Sequence, residues 1–177
     1  GTFSFDVANG TCGILNALQI IDGFLKSGAI DRALIVASDA DPGHRMSEAF
    51  PFSPVGAALL CGSDDEYGLQ RIHWTNIKDD GESYRATVGL VDKRNVLRFA
   101  AADVCHERFA DAAAAAAEQC LRESLMSPDQ LDAIVAAPAH EIFRAALASR
   151  LGVAMDRIMV AEDPRTHTAS LAAAFKR

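Results

Sequence analysis

No stretch of this sequence stays apolar for the ~18–20 residues that a helix needs to cross a bilayer, so no helical membrane span is expected. The chain opens on Gly1, with no basic segment ahead of an apolar one, so no secretory signal peptide is expected. A Gly1 start fits a cut or engineered piece. None of the four cysteines pairs as C-x-x-C, which argues against a structural zinc site and a thioredoxin-type redox motif. Reduced thiols and a cytoplasmic setting follow as the simplest expectation. An excess of basic charge is missing too. The formal net charge of −7 gives no reason to expect a nucleic-acid partner, which would want a basic face.

What is present is 177 residues, half of them hydrophobic, enough for one compact domain or a large part of one. Thr2 to Val7 alternates polar and apolar, and the spacing predicts a strand over 3–8. Ile14, Ala17, Leu18, Ile21, Phe24 and Leu25 then recur at helical spacing, predicting a helix over 12–27 stopped by Ser27-Gly28. Leu15 and Ile20 lie off that stripe, so the helix is apolar nearly all round and belongs between layers. A strand is expected over 32–38, then a loop or broken helix over 39–54. Val55 to Cys61 and Leu69 to Ile77 read as the two strands of a hairpin, and 78–95 as a loop.

The second part of the chain is more helical. A long helix is expected from about Asp103 to Leu125, with Phe109, Ala112, Ala113, Ala116, Cys120 and Leu121 on its inward face. Ser127-Pro128-Asp129-Gln130 carries the capping-box pattern with proline at the first helical position. Strands are expected over 132–137 and 157–161, flanking a helix over 140–151 that Gly152 ends. The final T-H-T-A-S-L-A-A-A-F opens another helix. This alternation predicts a mixed α/β layered domain.

Cys12 stands apart from the other cysteines. It falls where the short strand gives way, through Asn9-Gly10-Thr11, to the first turn of the helix. There free backbone N–H groups and the positive end of the helix dipole stabilise a thiolate. The arrangement is the mechanical device of the serine elbow in hydrolases. A lone cysteine is otherwise usually a small buried core residue, which is the expectation for Cys61, Cys105 and Cys120.

Three stretches of the chain resemble the thiolase-fold condensing enzymes, in the β-ketoacyl-[acyl carrier protein] synthase III branch. F-D-V-A-N-G-T-C-G-I-L-N-A-L-Q-I-I-D-G-F-L-K-S-G is similar to the family's nucleophile segment. V-L-R-F-A-A-A-D-V-C-H-E-R-F, followed by D-A-I-V-A-A-P-A-H-E-I-F-R-A-A-L-A-S-R-L-G, is similar to the segment with the catalytic histidine. R-T-H-T-A-S-L-A-A-A-F is similar to the segment with the catalytic asparagine. The family's G-D-G-A-G-A-like turn is kept only in its second half, as F-S-P-V-G-A-A.

The resemblance implies a five-layered α-β-α-β-α thiolase-like fold built of two similar halves, of which this chain covers only part. Residues 1–95 would hold the remainder of the first half, with the nucleophile and a connecting hairpin and loop. Residues 96–177 would hold the second half, cut short at its C-terminal end. Either the chain is a fragment or another chain supplies the rest, as a homodimer or a complementary subunit.

By the same resemblance Cys12 is the nucleophile that accepts an acyl group from acyl-coenzyme A or an acyl carrier protein. Matching Pro138 and Arg144 to the family's pattern puts Ala139 at the histidine position. His140 reaches the site if the loop shifts by one residue, and is otherwise a helix-start residue facing solvent. His167 stands where this branch has asparagine. Other condensing enzymes have histidine there, giving a Cys-His-His set; a structural loop histidine is the alternative. Arg144 lies where the family tends to carry basic residues for docking an acidic carrier protein, and an exposed helical arginine without a partner is the alternative. His44, His73 and His106 are expected at the surface or in loops. No metal or redox cofactor is implied, because the carrier brings the activated group. The expected activity is therefore acyl transfer of ketosynthase III type, to a carbon, oxygen or nitrogen acceptor in fatty acid, polyketide or related biosynthesis. A non-catalytic partner subunit of the same fold is the rival reading.

Overall fold

The apolar stripe of the first helix decides where the N-terminal half of the molecule packs. In the computed structural model, which describes residues 3–40, 50–78, 84–102 and 104–175, that helix is α1 (Gly13–Lys26). Ile14, Ala17 and Ile21 are buried along one side, while Leu15 and Ile20, off the stripe, remain exposed. Ser27 and Gly28 end the helix, with the Ala29 N–H returning to the Phe24 carbonyl at 3.0 Å. The expected strand over 3–8 does not form. Phe3 and Phe5 do share one side, stacked at 6.1 Å and edge-on to Phe24, but no strand pairs with the segment among the described residues. Alternation sets a face; it does not supply a hydrogen-bonding neighbour.

Strand β1 (Arg32–Asp39) pairs antiparallel with β2 (Val55–Gly62), in register from Arg32 opposite Gly62 to Asp39 opposite Val55. This corrects the expected hairpin of 55–61 with 69–77. No strand forms over 69–77; instead the Trp74 indole N–H donates to Gln19 on α1 at 2.9 Å. The turn itself is real, because Asp64 accepts the N–H groups of Glu66 and Tyr67. It leads the chain away from β2 rather than back along it.

A second correction falls on 78–95, expected as a loop. Strands β3 (Tyr84–Val91) and β4 (Arg94–Ala101) make an antiparallel hairpin closed by Asp92 and Lys93, both at positive φ (49° and 63°). Two consecutive residues at positive φ make the hairpin turn that normally announces itself as Asn-Gly. Here Asp-Lys does the work, and the usual signal is missing. The division between 1–95 and 96–177 falls inside β4.

Helix α2 (Cys105–Ser124) lies against α3 (Glu141–Leu151). Its buried residues are Cys105, Ala110 and Ala114, with Ala113 and Ala117 packed beside them, whereas Phe109 is 41% exposed. The inward stripe is thus rotated from the expected one. Six consecutive alanines carry no polar residue to set the phase, so the partner helix sets it through Phe143, Leu147 and Leu151. Asp103, the expected start, lies outside the described residues. Ser127 and Gln130 form the anticipated capping box. Strands β5 (Ile134–Val135) and β6 (Ile158–Met159) pair parallel and are shorter than expected.

Two cores result. Residues of α2, α3, β5 and β6 make one; α1, β1 and the C-terminal helix α4 (Ser170–Ala174) make the other, through Ile14, Ile35, Ala37, Ala169 and Leu171. The second core joins the two ends of the chain. It draws the segment before α4 onto α1 from more than a hundred residues away.

Candidate active site

Asn9 to Cys12 turn sharply into α1. Gly10 to Cys12 form one 3-10 turn, the Cys12 N–H donates to the Asn9 carbonyl at 3.0 Å, and the Asn9 amide donates to Asn16 at 2.7 Å. Cys12 is exposed at the N-cap of α1, beside the N–H groups that an α-helix leaves unpaired in its first turn. Gly10 adopts φ +48°, which a side chain resists. A Cβ there would also stand 3.1 Å from Cε1 of His167. That close approach brings one sequence-predicted histidine to the turn that carries the predicted nucleophile.

Five contacts hold the His167 segment. Its backbone N–H and that of Thr168 donate to the Asp39 carboxylate at 2.7 and 2.8 Å, and the Ala169 N–H adds a longer bond of 3.4 Å. The Phe52 ring stacks on the imidazole at 4.3 Å between centroids, backed edge-on by Phe50 and Phe99. Nδ1 lies 3.3 Å from the Thr168 hydroxyl. The loop is also tied down by Ser53, whose hydroxyl donates to Asp163 at 2.6 Å and whose N–H donates to the Arg165 carbonyl. That hydroxyl, with the Arg165 N–H and guanidinium, holds the Asp163 carboxyl down at about 2.

Burial lowers the His167 pKa, and the Asp39 charge opposes that shift only in part. The ring is therefore neutral at neutral pH. With Nδ1 beside a hydroxyl that can donate or accept, Nε2 can serve as base or as hydrogen-bond donor. Asp39, Phe52 and Ser53 were not anticipated as site residues. The one trace of Asp39 in the sequence is a carboxylate on the inward side of an apolar strand, where an unpaired charge is costly.

His140 is placed differently. It caps α3, its Nδ1 accepting the Ile142 N–H at 3.3 Å, and its ring lies flat on His106, with centroids 3.5 Å apart and planes within 8°. The contacts that define this ring belong to the α2–α3 junction rather than to the turn of Cys12. Ala139, at the position the resemblance assigns to histidine, is 3% exposed. His106 is a correction: expected in a loop or at the surface, it is half-buried in the first turn of α2. His73 does lie in a loop segment, half-buried, and His44 lies outside the described residues.

Arg144 is also a correction. Its Nε–H donates to the Ile158 carbonyl at 2.9 Å, its guanidinium approaches Glu141, and the side chain is only 20% exposed. The guanidinium joins α3 to β6, so Arg144 is not the exposed helical arginine without a partner. Of the remaining cysteines, Cys105 is buried, while Cys61 and Cys120 are half-buried; burial pushes the Cys61 thiol up. Among the described residues no three His, Cys, Asp or Glu side chains are grouped as a metal ion would require. Among them, no helix is long and apolar enough to cross a membrane.

No protein-family model matches the chain. Among curated proteins it is similar to β-ketoacyl-[acyl-carrier-protein] synthase III of Escherichia coli O1:K1 / APEC, at 31% identity over 183 residues. The synthase III of Salmonella typhimurium strain LT2 is 28% identical over 189 residues. Both alignments cover 96% of this chain and 56% of the relative, so the chain spans about half the length of the curated relatives it matches. Among solved structures, 3-oxoacyl-(acyl carrier protein) synthase III of Pseudomonas aeruginosa PAO1 superposes with a TM-score of 0.73 at 20% identity, covering 97% of this chain and 56% of that one. Xanthomonas campestris OleA, crystallised with lauric acid and lauroyl-CoA, gives 0.67 at 17% identity, covering 97% and 56%. The chain is ketosynthase III-like in sequence and carries part of the thiolase-like fold.

Proposed function

We propose that this chain is the part of a ketosynthase III-type acyltransferase that carries the acyl group on Cys12. The observation that carries the reading is the approach of His167 to Gly10, two residues before an exposed cysteine at the start of α1. In the first half-reaction the Cys12 thiolate adds to the thioester carbonyl of acyl-coenzyme A or an acyl carrier protein. The free N–H groups that open α1 are the candidates to hold the oxyanion of the tetrahedral intermediate. Its collapse forms the Cys12 thioester and expels the carrier thiolate.

The second half-reaction turns on His167. As an Nε2–H donor it can steady the enolate left when a malonyl thioester loses CO₂; that carbanion then attacks the Cys12 thioester carbonyl, and the C–S bond breaks to release the Cys12 thiolate. As a base it can instead take a proton from an alcohol or amine that attacks the same carbonyl, again with release of the Cys12 thiolate. Two features favour transfer to oxygen or nitrogen over condensation. One is histidine in place of asparagine at 167, and the other is the engagement of His140 with His106. The acyl carrier, a homodimeric or complementary partner, and a role in fatty acid or related biosynthesis all belong to this proposal. So do the division of the chain at 95/96 and the absence of a resident cofactor.

The test is intact-mass measurement of the full-length natural protein after incubation with acyl-coenzyme A. A gain of one acyl group that is lost in Cys12→Ser is expected. No adduct on the wild type would sink the enzymatic reading. It would favour a non-catalytic partner subunit, the alternative to which the His106–His140 stack points.

A further inference from the structure

We infer that Asp39 is a positioning residue for His167, its buried carboxylate gathering three consecutive backbone N–H groups so that the imidazole faces the turn of Cys12. The inference rests on the reading of His167 as a site residue. Asp39 is the last residue of β1, and it is 5% exposed. A carboxylate that deep must be matched by donors. The donors come from His167, Thr168 and Ala169, 128 to 130 residues further along the chain. Both sides are anchored, since Ile35 and Ala37 on β1 and Ala169 and Leu171 beyond the histidine share one core.

The geometry leaves little slack. The imidazole is confined between the Phe52 ring at 4.3 Å and the Gly10 backbone, where a single added carbon would already crowd Cε1. A shift of the 167–169 backbone by about 1 Å would carry Nε2 off line, a displacement that costs on the order of 10²-fold in a positioned reaction. Only an ionised carboxylate suits three converging N–H donors. Asparagine has the same shape but would aim its NH₂ at part of that set. The negative charge has a second effect, for it favours the protonated imidazole and so opposes the effect of burial.

The experiment compares wild type, Asp39→Asn, Asp39→Glu and His167→Ala in the full-length natural protein. The His167 C–H resonance, identified by its loss in His167→Ala, is titrated by NMR alongside turnover of the Cys12-bound acyl group. In Asp39→Asn the titration midpoint should move to lower pH and turnover should fall on the order of 10²-fold, with Asp39→Glu recovering part of both. An unmoved midpoint with undiminished turnover would overturn the inference. In the wild type, amide exchange at His167, Thr168 and Ala169 should be slow compared with the flanking loop. Fast exchange there would also overturn it, even if Asp39→Asn fails to fold. Should His167→Ala leave turnover intact, the reading of the histidine fails instead, while the midpoint and the exchange rates still judge the link to Asp39.

Discussion

Cys12 and the other three cysteines differ in what surrounds them, and the difference is measurable one residue at a time. Cys12 is exposed at a helix start, Cys105 is 1% exposed, Cys120 is half-buried, and burial raises the pKa of Cys61. Limiting iodoacetamide near neutral pH should therefore modify Cys12 alone, as read by peptide mass mapping of the folded protein. Equal labelling of Cys12 and Cys105 would contradict the placement of both. At His167 the expectation concerns timing. Acylation of Cys12 needs the thiolate and the oxyanion donors, whereas enolate stabilisation is needed only afterwards. If the histidine is the enolate donor, His167→Ala should cut malonyl decarboxylation by on the order of 10²–10³ while Cys12 still acylates. If it is the base for transfer to oxygen or nitrogen, even the wild type should release no CO₂ from a malonyl thioester. Single-turnover assays separate the two. The pH dependence has a definite sign. A histidine whose folded pKa is depressed binds its proton more readily when unfolded, so stability falls as pH drops from about 6.5 towards the folded value. The His167-dependent rate should accordingly hold level at neutral pH and fall only below the ordinary histidine range.

Elements differ in how much of themselves the sequence displays. Helix α3 is legible at both ends, from His140 at the N-cap to Gly152 at the C-cap, because the signals for a helix lie within a few residues of it. The β3–β4 hairpin is not, because its turn is made by Asp92 and Lys93 at positive φ rather than by Asn-Gly. Lys93→Gly should then stabilise the protein by about 1 kcal/mol, since a left-handed residue other than glycine carries a steric penalty of that order. Urea denaturation midpoints at unchanged slope would show it. A lower midpoint for Lys93→Gly would argue against the positive φ at that site. Helix α2 is the intermediate case: its span is plain from the sequence and its rotation is not, because an alanine run looks alike on every side.

At the scale of the whole molecule, too much surface is left open. The chain exposes 11,688 Å², against about 8,300 Å² for a folded monomer of 18.9 kDa. The outer face of the β1–β2 sheet presents Leu34, Val36 and Leu60, each more than 60% exposed, and α1 leaves Leu15 and Ile20 open. A cleft of about 870 Å³ runs between the 3–7 segment, α1 and β1. Apolar area of this extent is usually covered in a soluble protein. The 177-residue chain by itself should self-associate or require a partner polypeptide, and sedimentation velocity would reveal this. A stable, soluble 18.9 kDa monomer would show that the exposed faces need no cover.

What the amino-acid order determined by itself was local: the turn of Asn9 to Cys12, the helix that follows it, the capping box at Ser127 and Gln130, and the layered alternation of helices and strands. Each rests on signals a few residues apart, such as caps, glycine stops and periodicity. Tertiary structure alone decided the rest, because the deciding contacts join residues far apart and leave no local trace. The choice of β1 as the partner of β2 was made that way, as was the rotation of α2 against α3. The same holds for the stacking of His106 on His140 and the inward turn of Arg144. Above all, the buried carboxylate of Asp39 and the ring of Phe52 meet His167 only because one core closes over β1, α1 and α4.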